Sequence, residues 1–168
     1  KRTGIEIDMN TGTGWPFGGP EVSIEEAASK AIFQTYEIEG GQEIVQDINV
    51  ADKKQQPYSV LSRVMAYDGN GRCINLTSHV RKDKLEWKAP AGKWKVIALY
   101  NGKTRQKVKR AAPGGEGYVM NHLSKSAVKS YLSRFDRAFK SSKTSYPHTF
   151  FNDSYEVYQA DWTEDFLD

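Results

Sequence analysis

Ser23-Ile-Glu-Glu-Ala-Ala-Ser-Lys-Ala-Ile32 is the stretch whose reading decides the fold. Ser23 and Glu26 have the spacing of a capping box, in which hydroxyl and carboxylate each satisfy an orphan backbone N–H at a helix start. The pattern predicts a helix from Ser23 to about Ile32. Upstream, residues 4–9 contain Gly4-Ile-Glu-Ile-Asp8 and read as a short buried strand. Between the two, Thr11–Pro20 (TGTGWPFGGP) holds four glycines and two prolines. Such residues punctuate regular structure, so this segment is a loop. The chain therefore opens as strand, long glycine-rich loop, helix.

Its middle changes character. Phe33–Glu39, Gln42–Ile48, Tyr58–Tyr67, Arg72–Thr77, Lys84–Trp87 and Lys93–Tyr100 read as strands, with alternation visible at Tyr36-Ile38 and Val60-Arg63-Val64. Gly40-Gly41 and Asp68-Gly-Asn-Gly71 are hairpin turn signals, and Pro90-Ala-Gly92 is another turn. Short strands at this spacing predict a small antiparallel sheet or sandwich. Past Trp94, Val96–Tyr100 is a continuous apolar run suited to a buried strand. Ser124 or Ser126 then caps a helix whose apolar positions are Val128, Tyr131, Leu132, Phe135 and Phe139. His148–Asn152 reads as the next buried strand. Flanking β/α units predict a parallel sheet or barrel with the β-rich block inserted. The boundaries are 1–35 for a strand–loop–helix segment, 36–92 for the β-rich insertion and 93–168 for a strand–helix–strand segment.

The 168 residues are 38% apolar and 27% charged, a globular composition. A net charge of +3 is too weak to imply a polyanionic partner. Lys103–Arg110 (KTRQKVKR) concentrates positive charge, but no aromatic residue interleaves with it as in single-strand binders. A solvated strand or loop is the reading preferred over a nucleic-acid patch. Cys73 is the single cysteine, which excludes an intrachain disulfide and a cysteine metal site. No apolar run approaches the roughly 18 residues of a membrane span, and no signal peptide is visible. The chain opens in a strand-like run and closes in a helix-like start, Thr163-Glu-Asp-Phe-Leu-Asp168, as a piece of a longer protein would.

Chemistry concentrates near the end, in Phe150-Phe-Asn-Asp-Ser-Tyr-Glu156. Two carboxylates, Asp153 and Glu156, stand beside Asn152, Ser154 and Tyr155. Cleaving a glycosidic bond requires a carboxylic acid that protonates the leaving oxygen, in a polar pocket with aromatic walls. Lying three positions apart at a strand end, one of the pair can orient the other; a helix cap or loop hydrogen-bond network accounts for them equally well. Trp15 and Phe17, fixed by Pro16, form a candidate sugar platform, or pack beneath their loop. Thr11-Gly-Thr-Gly14 lacks the spacing of a phosphate cradle. Glu116 lies among glycines that permit close ligand approach, and also suits a simple turn carboxylate. His79 and His122 are isolated, without metal-ligand spacing, and read as structural or surface residues.

Several of these stretches together resemble the bacterial glycoside hydrolases of the α-L-rhamnosidase type, family 106. They are Asp8-Met-Asn-Thr-Gly-Thr-Gly-Trp-Pro-Phe-Gly-Gly-Pro20, Ala112-Pro-Gly-Gly-Glu-Gly117 with Leu123-Ser-Lys-Ser-Ala-Val128, and Phe151-Asn-Asp-Ser-Tyr-Glu156 with Ala160-Asp-Trp-Thr163. The resemblance implies an α/β fold: partial (β/α)8 TIM-barrel segments flanking an inserted antiparallel β-rich domain. It implies a large periplasmic or secreted enzyme of polysaccharide degradation that removes α-L-rhamnosyl groups by inversion, with calcium assisting substrate binding. By the match to the family's N-D-S-x-E segment, Glu156 would be the general acid. Trp15, Glu116, Asn152 and Asp153 would contact an oligosaccharide or polysaccharide. The base would come from a later strand, leaving this piece inactive alone. Nucleic acid and a membrane span are not expected. The rival reading is a non-catalytic carbohydrate-binding or structural β-module, which has no need of Glu156.

Overall fold

A computed structural model describes residues 3–152 and 155–167. In chain order its main elements are β1 (Asp8–Met9), β2 (Gly18–Gly19), β3 (Ser29–Glu39), β4 (Glu43–Asp47), β5 (Val60–Asp68), β6 (Cys73–Asn75), β7 (Val80–Arg81), β8 (Lys84–Lys88), β9 (Lys93–Lys103), β10 (Tyr118–Val119), α1 (Lys125–Ser142) and β11 (Thr149–Phe150). The chain falls into two compact units: Lys30–Lys103, and Lys1–Ser29 together with Thr104–Asp168.

In the Lys30–Lys103 unit, alternation builds two sheets. One has the order β3-β9-β5-β6 and the other β4-β8-β7. Along β8, Leu85 and Trp87 are buried while Lys84, Glu86 and Lys88 face water. Along β9 the same period buries Trp94, Val96 and Ala98. Period-two burial is what places one face of each strand in the core. Both sheets contribute to that core, which joins Ile38, Val64 and Ala66 to Leu85, Trp87, Trp94 and Val96. Trp87 and Trp94 meet edge to face at 5.2 Å, a favoured arrangement for aromatic quadrupoles. The Asp68–Arg72 hairpin closes as its turn signal predicts. Asp68 Oδ1 accepts from the Asn70 and Arg72 amides, and Gly71 takes a φ of +83°.

The other unit is built from short pieces. β1 and β11 pair in parallel, Asp8 opposite Thr149 and Met9 opposite Phe150. β2 and β10 pair antiparallel. Ser124 caps α1, its Oγ accepting from the Ala127 amide at 3.3 Å. The helix packs Ala127, Val128, Tyr131 and Phe135 inward. Lys143, left-handed at φ +53°, ends it.

The expected barrel segments are not present. The described residues are 37% strand and 15% helical, hold one α-helix, and give no succession of strand–helix units. Three departures produce this result. First, Ser23–Ile32 is not a helix. Ser23 Oγ does accept from the Glu26 amide at 3.3 Å, but the chain makes a single turn and enters β3 at Ser29. Ala27, Ala28 and Ser29 are buried, small enough to lie directly against other backbone. The Ala28 amide bonds to the Val119 carbonyl, and the Ala28 carbonyl accepts from Thr104. Pairing to distant segments thus overrides a local helix signal. Second, β9, read as a flanking strand, belongs to the same sheet as β5, with which it pairs antiparallel. Third, the strands expected to be buried at 4–9 and 148–152 are two-residue pairs at the surface. Ile5 and Ile7 are 72% and 67% exposed, and Phe150 is half exposed.

Candidate functional site

The site grows from the β1–β11 pair. Because these strands run parallel, the segments that follow them leave on the same side. The Phe151 amide extends the pairing by bonding to the Met9 carbonyl at 2.9 Å. Asn10 then opens the glycine-rich loop and Asn152 opens the loop that leads to Glu156. Asn10 Oδ1 accepts from the Gly12 amide at 2.6 Å, folding the first loop back at once.

The glycines of that loop serve backbone packing. Thr13 Oγ1 donates to the Gly115 carbonyl at 2.6 Å, and Trp15 exchanges two backbone bonds with Lys109, at 2.9 and 2.7 Å. A Cβ on Gly18 would collide with the Tyr118 carbonyl, and one on Gly117 with Gly19. Loop 10–20 is therefore held flat against residues 107–118. Tyr131 of α1 secures it from below, its hydroxyl donating to the Thr11 carbonyl at 2.7 Å with the Gly18 carbonyl at 3.2 Å.

This packing sets out a row of rings. Trp15 meets Phe17 edge-on at 5.8 Å, Phe17 stacks on His122 at 6.3 Å, and His122 meets Tyr155 edge-on at 5.1 Å. Tyr155 is half exposed, and burial of the remainder raises its phenol above the ordinary range. His122 Nδ1 lies 3.0 Å from the Met120 carbonyl oxygen, which can only accept. The ring proton therefore sits on Nδ1, and Nε2 is the acceptor of the neutral ring. Burial lowers the His122 pKa, with the Met120 bond opposing it. The ring favours its neutral, apolar form, as suits a member of an aromatic row.

Glu156 follows Tyr155 directly and is exposed. Its backbone is held: the Gln106 side-chain amide donates to the Glu156 carbonyl at 2.9 Å and accepts from the Tyr158 amide at 2.8 Å. Between these two residues, Val157 is buried with Ala28, Val108 and Val119. The Lys109 ammonium sits 4.6 Å above the Tyr158 ring. Lys107 likewise sits over Tyr118 at 3.2 Å, so two lysines of the basic run have aromatic partners that the sequence placed elsewhere.

Of the candidate residues, Trp15 lies at one end of the aromatic row and Glu156 beside the other. Asn152 is exposed at the start of the second loop, and Glu116 is exposed just past the turn that the Gly115 amide closes on the Ala112 carbonyl. No interaction joins Glu116, Asn152 and Glu156 among the described residues. Asp153, with Ser154, lies outside the described residues. The sequence names His122 as a structural or surface residue, not as part of a ring row, and does not single out Gln106. His122 had a usable signal, since it sits between β10 and the α1 cap, at the end of a strand. Gln106 had none, because its partners are 50 and 52 positions away. A separate cavity of about 230 Å³, lined by Glu21, Glu26, Tyr131 and Arg137 among others, includes none of the candidate residues. Among the described residues, no three His, Cys, Asp or Glu side chains converge to hold a metal ion. No helix among them is long and apolar enough to cross a membrane.

Glu156 thus directly follows the last ring of a row drawn from three segments. The chain belongs to glycoside hydrolase family 106, whose model, described as alpha-L-rhamnosidase, matches residues 50–168. A protein of Formosa agariphila named "Putative beta-glucuronidase" is 26% identical over 99% of this chain. The chain spans 18% of that relative's length. No solved structure matches it.

Proposed function

We propose that this chain carries the general acid of a glycoside hydrolase that removes terminal α-L-rhamnosyl groups with inversion. Glu156 is the acid, and the Trp15–Phe17–His122–Tyr155 row is the surface on which the sugar lies. The observation that supports this most is the continuity of that row with the Glu156 loop. Rings offer the apolar face of a sugar a stacking partner, and the adjacent carboxyl can deliver a proton to the glycosidic oxygen. Inversion needs a second carboxylate roughly 6.5–9.5 Å from the first to activate water. That base is assigned to no residue here. Asp153, Asn152 and Glu116 are proposed substrate contacts. Calcium and a periplasmic or secreted location accompany the family reading, and no residue of this chain is assigned to the metal.

The test is Glu156→Gln in the whole protein, assayed on a rhamnosyl disaccharide and on an activated aryl rhamnoside. Loss of a general acid typically costs about 10²–10⁴-fold, and an activated leaving group hardly needs the proton. A large loss on the disaccharide and a small one on the aryl substrate are expected. Equal, small losses on both would move the acid elsewhere. An aryl β-D-glucuronide run beside them tests the substrate class: faster turnover of the glucuronide would overturn the rhamnosyl assignment.

A further inference from the structure

We propose that Gln106 is the positioning residue for Glu156, a side-chain amide that takes the place of a neighbouring strand. Resting on the reading of Glu156 as general acid, the inference goes beyond it by naming what holds that acid in place.

A parallel strand neighbour brackets the residue opposite it, donating to the carbonyl before it and accepting from the amide after it. The Gln106 amide reproduces this pair from a single side chain. Nε2 donates to the Glu156 carbonyl at 2.9 Å, and Oε1 accepts from the Tyr158 amide at 2.8 Å. The two bonds bracket Val157, whose side chain is buried with Val108 and Val119. The backbone on both sides of Val157 is thus fixed, and Glu156 retains only its own side-chain torsions. The clamp itself is anchored. The Val119 amide bonds to the Gln106 carbonyl at 3.0 Å, and the Gln106 amide bonds to Thr104 Oγ1 at 3.3 Å. Lys109 holds the far end of the loop through the Tyr158 ring and hydroxyl.

Glutamine suits the place because its head group carries one donor and one acceptor at fixed spacing. An ionised carboxylate there would repel the Glu156 carbonyl; a hydrocarbon would leave both backbone groups unpaired. Misplacing a catalytic group by about 1 Å can cost on the order of 10²-fold in rate. Trp15, Phe17 and His122, three of the four rings, lie on segments that the clamp does not touch, so the loss falls mainly on kcat and less on KM.

The experiment uses the whole protein, with the rhamnosyl disaccharide and aryl rhamnoside as probes. Gln106→Leu should lower kcat on the disaccharide by about 10- to 100-fold with KM little changed, and lower the aryl rate far less. The Tyr158 amide should exchange with solvent faster. Gln106→Glu should recover activity as pH falls, because a protonated carboxyl again offers one donor and one acceptor. Added to Glu156→Gln, the Gln106→Leu change should cost almost nothing further, whereas a merely structural role would add its full loss. If Glu156→Gln lowers disaccharide turnover but Gln106→Leu leaves kcat and Tyr158 exchange unchanged, the clamp is overturned while the acid stands. If Glu156→Gln shows no leaving-group dependence, the acid reading fails and the inference fails with it.

Discussion

The Lys30–Lys103 unit buries both of its tryptophans in one core shared by two sheets, while the other unit leaves rings along its loops part exposed. In the first, Trp94 is 1% exposed and alternation runs cleanly along β8 and β9. In the second, Tyr155, Phe151 and Tyr158 are each half exposed or more, and the core is split into two small clusters. Order there comes from directed bonds: Tyr131 on the glycine-rich loop, Thr13 on Gly115, Gln106 on the Glu156 loop. Burial alone suffices to hold a scaffold. A site needs polar and aromatic groups kept at the surface, so their positions must be fixed by hydrogen bonds and backbone contact.

The contrast is broken most severely at Trp94. Trp94→Ala empties a packed position and strands the Pro90 carbonyl, which now accepts from the indole at 2.9 Å. A loss of about 3–5 kcal/mol is expected, read as a fall in the denaturant midpoint. A change within ordinary surface scatter would mean that this core does not hold the unit. A smaller effect is expected at Tyr131. Tyr131→Phe removes the donor that serves the Thr11 and Gly18 carbonyls. It should cost about 1–3 kcal/mol and loosen the loop that carries Trp15, seen as faster amide exchange at residues 12–18. Unchanged exchange would show that glycine packing alone holds the loop.

The mildest effect concerns His122, whose pKa is lowered by burial. Its contribution to stability is present above the unfolded value of about 6.5 and is lost as pH falls below that toward the lowered folded value. His122→Phe keeps a ring in the row and removes the titration. The wild type should lose more stability than this variant between pH 7.5 and 5, by parallel denaturant melts. Identical slopes would place His122 in a solvated setting.

What could be read from sequence follows the same division. Strands at Phe33–Glu39, Lys84–Trp87 and Lys93–Tyr100 showed themselves through alternation and turn residues, because a strand's burial is encoded in its own neighbours. Ser23–Ile32 was misread, because Ala27, Ala28 and Ser29 are small in order to pair with Met120, Val119 and Trp162, roughly a hundred positions away. The carboxylate Glu156 and the ring of Trp15 are nameable as residue types in suggestive loops. That Phe17, His122 and Tyr155 bridge them was not, since the row joins three separated segments. Gln106 shows the limit, since nothing about an isolated glutamine marks it as a partner of Glu156 and Tyr158.

The proposed site puts sugar on the loop-rich unit, along the ring row, and not on the sheets of residues 30–103. Titrating this chain with L-rhamnose while recording amide and indole resonances tests it directly. Shifts are expected at the Trp15 indole, the His122 ring and the Tyr155 and Glu156 amides, with the amides of residues 30–103 unmoved. Shifts confined to residues 30–103, with Trp15 and His122 silent, would contradict it and favour a carbohydrate-binding β module.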